Sequence, residues 1–194
     1  PGGSRLFPRS SKDREVMSRC LSKYKKYLRV GTMAGLHQEG PGVHNRTVTF
    51  LDRFPDEAIP LDRYESFQLA FEKLINATAK PKIVAEIGVS RSFRGWQMNQ
   101  DPASWEPLNP SVWDWGGGSF SAIAAECLQH VEGIKMHCVD LDEGAIGVVK
   151  VMNKEFPFVE THTTTSSAFF RSYRGPPISL VYSDLGDPLG AWDL

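Results

Sequence analysis

A chain of 194 residues with 41% hydrophobic and 23% charged side chains has the composition of one folded domain, which excludes disordered and fibrous classes. The formal net charge of -1 gives no overall attraction to nucleic acid or to an anionic membrane, although Arg5 to Arg29 gathers nine Lys or Arg against only Asp13 and Glu15. No apolar run reaches the roughly 18 to 20 residues of a membrane span, and the start PGGSRLFPRSS lacks the apolar centre of a signal peptide.

From Ser11 to Val30, Val16, Met17, Cys20, Leu21, Tyr24, Tyr27 and Leu28 recur near helical spacing among basic residues, which predicts one basic amphipathic helix. Gly31 to Pro60 is rich in Gly, His and Pro and reads as a loop with one short strand at Thr47 to Leu51. Leu61 to Thr78 then carries Tyr64, Phe67, Leu69, Phe71, Leu74 and Ile75 mostly on one helical face, with Asp62 as N-cap and Pro81 as stop. Residues 1–60 therefore read as an N-terminal extension, and 61–194 as the main domain.

From Lys82 the pattern alternates. Lys82 to Val89 is the nearly continuous apolar run of a strand covered on both faces. Helices are predicted at Ser119 to Val131, Glu143 to Phe156 and Ser166 to Tyr173, and strands at Lys135 to Leu141, Phe158 to Thr165 and Ile178 to Leu185. The order β-α-β-α-β-α-β predicts an α/β fold with parallel strands and right-handed crossovers. The sequence ends after the fourth strand, so a longer chain, a partner protein or a second copy is expected to complete the sheet.

In such a sheet, ligands lie beyond the carboxyl ends of the strands. Those ends carry Glu86 and Gly88 on the first strand, Asp140 and Asp142 on the second, the hydroxyls of Thr164, Thr165, Ser166 and Ser167 on the third, and Ser183, Asp184, Gly186 and Asp187 on the fourth. A carboxylate ending the second strand can accept both hydroxyls of a ribose. Glycines after the first strand would let a ligand approach the backbone and a helix N-terminus, but Gly116, Gly117 and Gly118 arrive only after an insert at 90–115. The insert holds Phe93, Trp96, Trp105, Trp113 and Trp115 and reads either as a lid and acceptor-binding wall or as a flap packed on the domain.

The segments VAEIGV (84–89), GGGSFSAIAAE (116–126), HCVDLD (137–142) and LVYSDLGDP (180–188) together resemble the class I S-adenosylmethionine-dependent methyltransferases, especially the small-molecule branch. The resemblance covers roughly the second half of the chain. It implies a Rossmann-like three-layer sandwich in which Glu86, Gly88, Gly116, Gly117 and Gly118 line the methionine part of the cofactor. Asp140, with Asp142 beside it, would hold the ribose, Ser166 or Ser167 would flank the adenine, Asp184 would sit at the reacting group, and Trp96, Trp113 and Trp115 would meet the acceptor. The chain departs from the family in its long insert and in SDLGDP, which lacks the family's His and respaces the acidic pair to Asp184 and Asp187; a metal role for that pair is not expected.

The expected activity is methyl transfer from S-adenosylmethionine to a small molecule, sugar or natural product. The alternatives are an inactive methyltransferase-like interaction domain and an NAD-dependent oxidoreductase, the latter weakened by the missing contiguous GxGxxG. His37, His44, His130, His137 and His162 lack metal-ligand spacing, and His137 reads as structural; His37 and His44 are conceivable general bases. Cys20, Cys127 and Cys138 fit buried thiols in a reducing, cytoplasmic setting, while Asn45-Arg-Thr47 and Asn76-Ala-Thr78 leave a secretory route open. Neither membrane nor nucleic acid is expected as a partner.

Overall fold

A computed structural model describes residues 9–29, 63–94, 101–114 and 119–184. The expected strand at Thr47 to Leu51, Asp62, Trp96, Trp115, the triple glycine and Asp187 lie outside the described residues.

The basic segment folds as two helices, α1 (Arg9–Ser22) and α2 (Lys25–Arg29), with a turn at Lys23 and Tyr24. Helix α3 (Arg63–Asn76) follows, then β1 (Lys82–Ile87), α4 (Phe120–Leu128), β2 (Ile134–Asp140), α5 (Glu143–Met152), β3 (Val159–Thr163), α6 (Ser166–Ser172) and β4 (Ile178–Ser183). The insert contributes two single 3-10 turns, Pro102–Ser104 and Pro110–Val112, each opened by its proline.

All four strands are parallel, in the order β3-β2-β1-β4. The order reverses beside β1, because β2 and β3 lie on one side of it and β4 on the other. This is an α/β architecture compatible with a Rossmann-like fold. Right-handed crossovers then require α4 and α5 on one face and α6 on the other, and the core divides in that way. Val84, Met136 and Cys138 pack with α1, α3, α4 and α5, whereas Ala85, Ile87 and Val139 pack with Phe169 of α6.

The N-terminal helices belong to this core. Met17, Leu21, Tyr24 and Leu28 are buried in the same cluster as α3 and α4, while Lys12, Arg14, Arg19, Lys25 and Lys26 are exposed on the outer face. Phe67 of α3, Phe120 of α4 and Tyr182 of β4 interlock beside them; Phe120 and Tyr182 stack with centroids 4.1 Å apart.

Candidate functional site

The strand order sets the site's position, since a topological switch leaves a crevice between the diverging crossovers at the carboxyl ends of β1 and β4. Strand β1 leaves the sheet at Gly88, whose φ of 75° is a left-handed conformation that glycine adopts without a Cβ penalty. Three backbone hydrogen bonds hold this corner: Gly88 N–H to Val139 O, Thr164 N–H to Asp140 O and Asp184 N–H to Ile87 O, each 2.9 Å. They bring the ends of all four strands into one rim.

The described residues at the two ends of the insert bond one another. Ser119 N–H donates to Ser90 Oγ at 3.0 Å, and Asp114 N–H donates to Phe93 O at 3.0 Å. Ser92 Oγ also bonds the buried Asp114 carboxylate, and Ser119 Oγ donates to Asp114 O at 3.2 Å. The insert therefore leaves and returns at one place, and α4 starts beside the end of β1. Ser119 enters α4 with φ 42° and makes no side-chain cap bond.

Glu86 lies at the centre of the rim with only 1% of its surface exposed. Burial pushes its carboxyl up to about 8; the Cys138 thiol opposes the shift and the charge of Asp184 adds to it. Its Oε2 is buried and has no hydrogen-bond partner among the described residues. A buried carboxyl oxygen without a hydrogen-bond partner is costly unless a ligand group supplies one. Burial also raises the Asp184 carboxyl, with Arg63 pulling the other way.

Asp140 is buried at the end of β2, where its Oδ2 accepts from Val89 N–H at 3.1 Å and its Oδ1 from Asp142 N–H at 2.9 Å. Each oxygen retains a second lone pair. Asp142 caps α5, its Oδ1 accepting from Gly144 and Ala145 N–H. Ser166 and Ser167 open α6 and are half-buried, with Thr165 Oγ1 capping that helix.

Trp113 is buried against Tyr24 and Trp105, with centroid distances of 5.4 and 4.8 Å. These residues line a cleft of about 470 Å³ with Lys23, Tyr27 and Glu126. Lys23 Nζ and Tyr24 Oη both donate to Glu126.

Sequence spacing missed two features. Leu141, between Asp140 and Asp142, is 69% exposed and supplies an apolar surface at the rim. On the α6 face of the sheet, His137, Glu160 and His162 converge although no spacing in the sequence announces them. The available signal was strand alternation: Glu160 and His162 are two apart on β3, and His137 is the register partner of Glu160.

No family model, curated protein or solved structure matches this chain. Among the described residues, no helix is long and apolar enough to cross a membrane.

Proposed function

We propose that this protein binds S-adenosylmethionine and catalyses methyl transfer to a small-molecule acceptor. The observation that carries the proposal is the buried Glu86 carboxyl, with an oxygen lacking a partner among the described residues, at a strand-order switch where Ser119 at the start of α4 bonds Ser90 just past β1. A rim carrying Glu86, Asp140, Asp142 and Asp184 suits a ligand that brings an ammonium, a sulfonium and ribose hydroxyls. An acidic second-strand end would serve an NAD ribose as well, so the argument against NAD is the absence of a contiguous GxGxxG.

Glu86 is assigned to the amino group of the methionine portion and Asp140 to the ribose, through lone pairs that its two backbone donors leave available. Gly88, with Gly116, Gly117 and Gly118, would admit the ligand to the backbone, and Ser166 or Ser167 would border the adenine. Leu141 adds apolar cover there. Asp184, raised by burial, is assigned to the acceptor side. When bound, the cofactor supplies an electrophilic methyl group, so the protein's task is to align acceptor, methyl and sulfur and to exclude water. Trp96 and Trp115 are assigned to the acceptor wall, whereas the Trp113 ring packs on Tyr24 and Trp105 in a cleft that Glu86, Asp140 and Asp184 do not line.

Titration calorimetry on the full chain with S-adenosylmethionine, its demethylated product and NAD tests this. The first two are expected to bind and NAD is not. Asp140→Asn should weaken binding by roughly tenfold or more, the effect of about 1.4 kcal/mol at one charge-assisted hydrogen bond. Failure of the folded wild-type chain to bind either sulfur compound would remove the proposal. The second reading, an interaction domain without activity, draws on both Asp140 oxygens being engaged already, Oδ2 by Val89 N–H of the β1 turn and Oδ1 by Asp142 N–H of its own loop; it predicts no response of the β1 turn to the cofactor.

A further inference from the structure

We infer that His137, Glu160 and His162 form a binding site for a single divalent transition-metal ion of the zinc class on the α6 face of the sheet. This inference is independent of the methyl-transfer proposal. His137 stands mid-strand on β2 and Glu160 is its direct partner on β3, so the two side chains leave the same face of the sheet; His162, two residues further along β3, leaves that face as well. The three ligating atoms all lie within 4.8 Å of one another.

His137 Nδ1 is 3.0 Å from His162 Nε2 and 3.5 Å from Glu160 Oε2. Ligands that each stand about 2.0 to 2.2 Å from a zinc ion are separated from one another by about 3 to 3.5 Å, so these spacings match a metal's coordination edges. One proton can bridge the two imidazoles, but it leaves the nearby carboxylate unused by that bond. A cation at the centre takes all three donors together. Two imidazoles and one carboxylate favour zinc, iron, cobalt or nickel; calcium and magnesium prefer oxygen donors throughout.

The surroundings support the assignment. Phe169 of α6 lies 5.0 Å from the His162 ring and 5.7 Å from the His137 ring, and Tyr173 lies 5.5 Å from His137, so an apolar wall fixes both imidazoles. His137 is buried, His162 half-buried and Glu160 exposed, which grades the site from sheet to solvent. Three protein ligands leave a fourth position for water or a small ligand. Coordination would also tie β2 to β3 below α6.

The full chain, freed of any affinity tag and stripped with a chelator, is titrated with Zn²⁺ by calorimetry and with Co²⁺ by visible absorption. Saturable binding of one equivalent with Kd below about 100 µM is expected, with cobalt d–d bands that EDTA abolishes. Because His137 is buried and its removal can unfold the chain, the variants are His162→Ala and Glu160→Gln, with folding checked by circular dichroism. Each should weaken Zn²⁺ at least roughly tenfold, given that even outer-shell partners carry about 10- to 100-fold. His130→Ala, whose ring meets the Asp13 carbonyl, should leave the affinity unchanged. No saturable binding by the folded wild-type chain below about 100 µM, or equal affinity in His162→Ala, overturns the assignment.

Discussion

Glu86 is the residue at which burial, ionisation and ligand chemistry meet. Its ordinary value of 4.5 applies in the unfolded chain, whereas the folded chain holds it near 8. Between those values the native state keeps a proton that the unfolded state has lost, so stability is full below pH 4.5 and falls as pH rises through 8. The loss approaches about 5 kcal/mol. Glu86→Gln has no proton to lose and should match the wild-type ligand-free protein near pH 4.5 but exceed its stability at pH 8. Urea unfolding of both proteins across that range checks this; a difference independent of pH would show that burial does not hold the proton. An ammonium brought beside Glu86 would favour ionisation, so S-adenosylmethionine binding should release a proton near pH 7. At this scale, the sequence marked Glu86, Asp140 and Asp184 because their positions follow from strand ends. It could not mark which oxygen lacks a partner, since that depends on Cys138 and Ser121, which meet Glu86 from two other segments. The His137 cluster was illegible for the same reason: register between β2 and β3 is a property of the pair of strands.

At the scale of elements, the described strands and the main-domain helices fall where the apolar runs predicted, with ends moved by a few residues, and Leu69, expected on the apolar face of α3, is 44% exposed. The basic helix divides because Lys23 and Tyr24 form a turn that lets both donate to Glu126 of α4. Another long-range device is Lys82, which the sequence offered only as the first strand residue. Its buried ammonium donates to Leu74 O, Ile75 O and Ala77 O at 2.7, 2.7 and 2.6 Å. Three N–H donors thus meet carbonyls at the negative end of the α3 dipole, where donors within the helix run out; Leu74 O also accepts from Ala77 N–H at 3.2 Å. Burial lowers the ammonium pKa, so its charge is held against desolvation by these carbonyls. Lys82→Met keeps the volume and removes the ammonium from Ile75 O and Ala77 O, while Leu74 O keeps its bond from Ala77 N–H. We expect a loss of about 2 kcal/mol, or roughly 4–8 °C in Tm, together with faster amide exchange in the last turn of α3. An unchanged Tm would mean that water satisfies those carbonyls as well as lysine does.

Across the whole molecule, the issue is whether α1 is an appendage or part of the folding unit. Its charge made the segment read as an extension, because nine basic residues between Arg5 and Arg29 outweigh the apolar stripe by eye. Packing decides otherwise for Leu21, which has no exposed surface and shares a core with Phe71 of α3 and Ile123 of α4. Trp113 from the insert touches Tyr24, so the insert, the N-terminal helices and the sheet's helical layer are joined through one set of side chains. Leu21→Ala removes buried methyl groups from that junction and should cost about 3 kcal/mol, or roughly 6–12 °C in Tm for a chain of this size. If the core is one cooperative unit, the whole transition moves: near-ultraviolet circular dichroism, dominated by the tryptophans, and far-ultraviolet circular dichroism, dominated by sheet and helices, shift together. An appendage would instead melt early and leave the main transition in place. Coincident displacement of both signals by a single methyl-deleting change in α1 is therefore the outcome that makes the basic helix a structural part of the domain supporting the strand-end site.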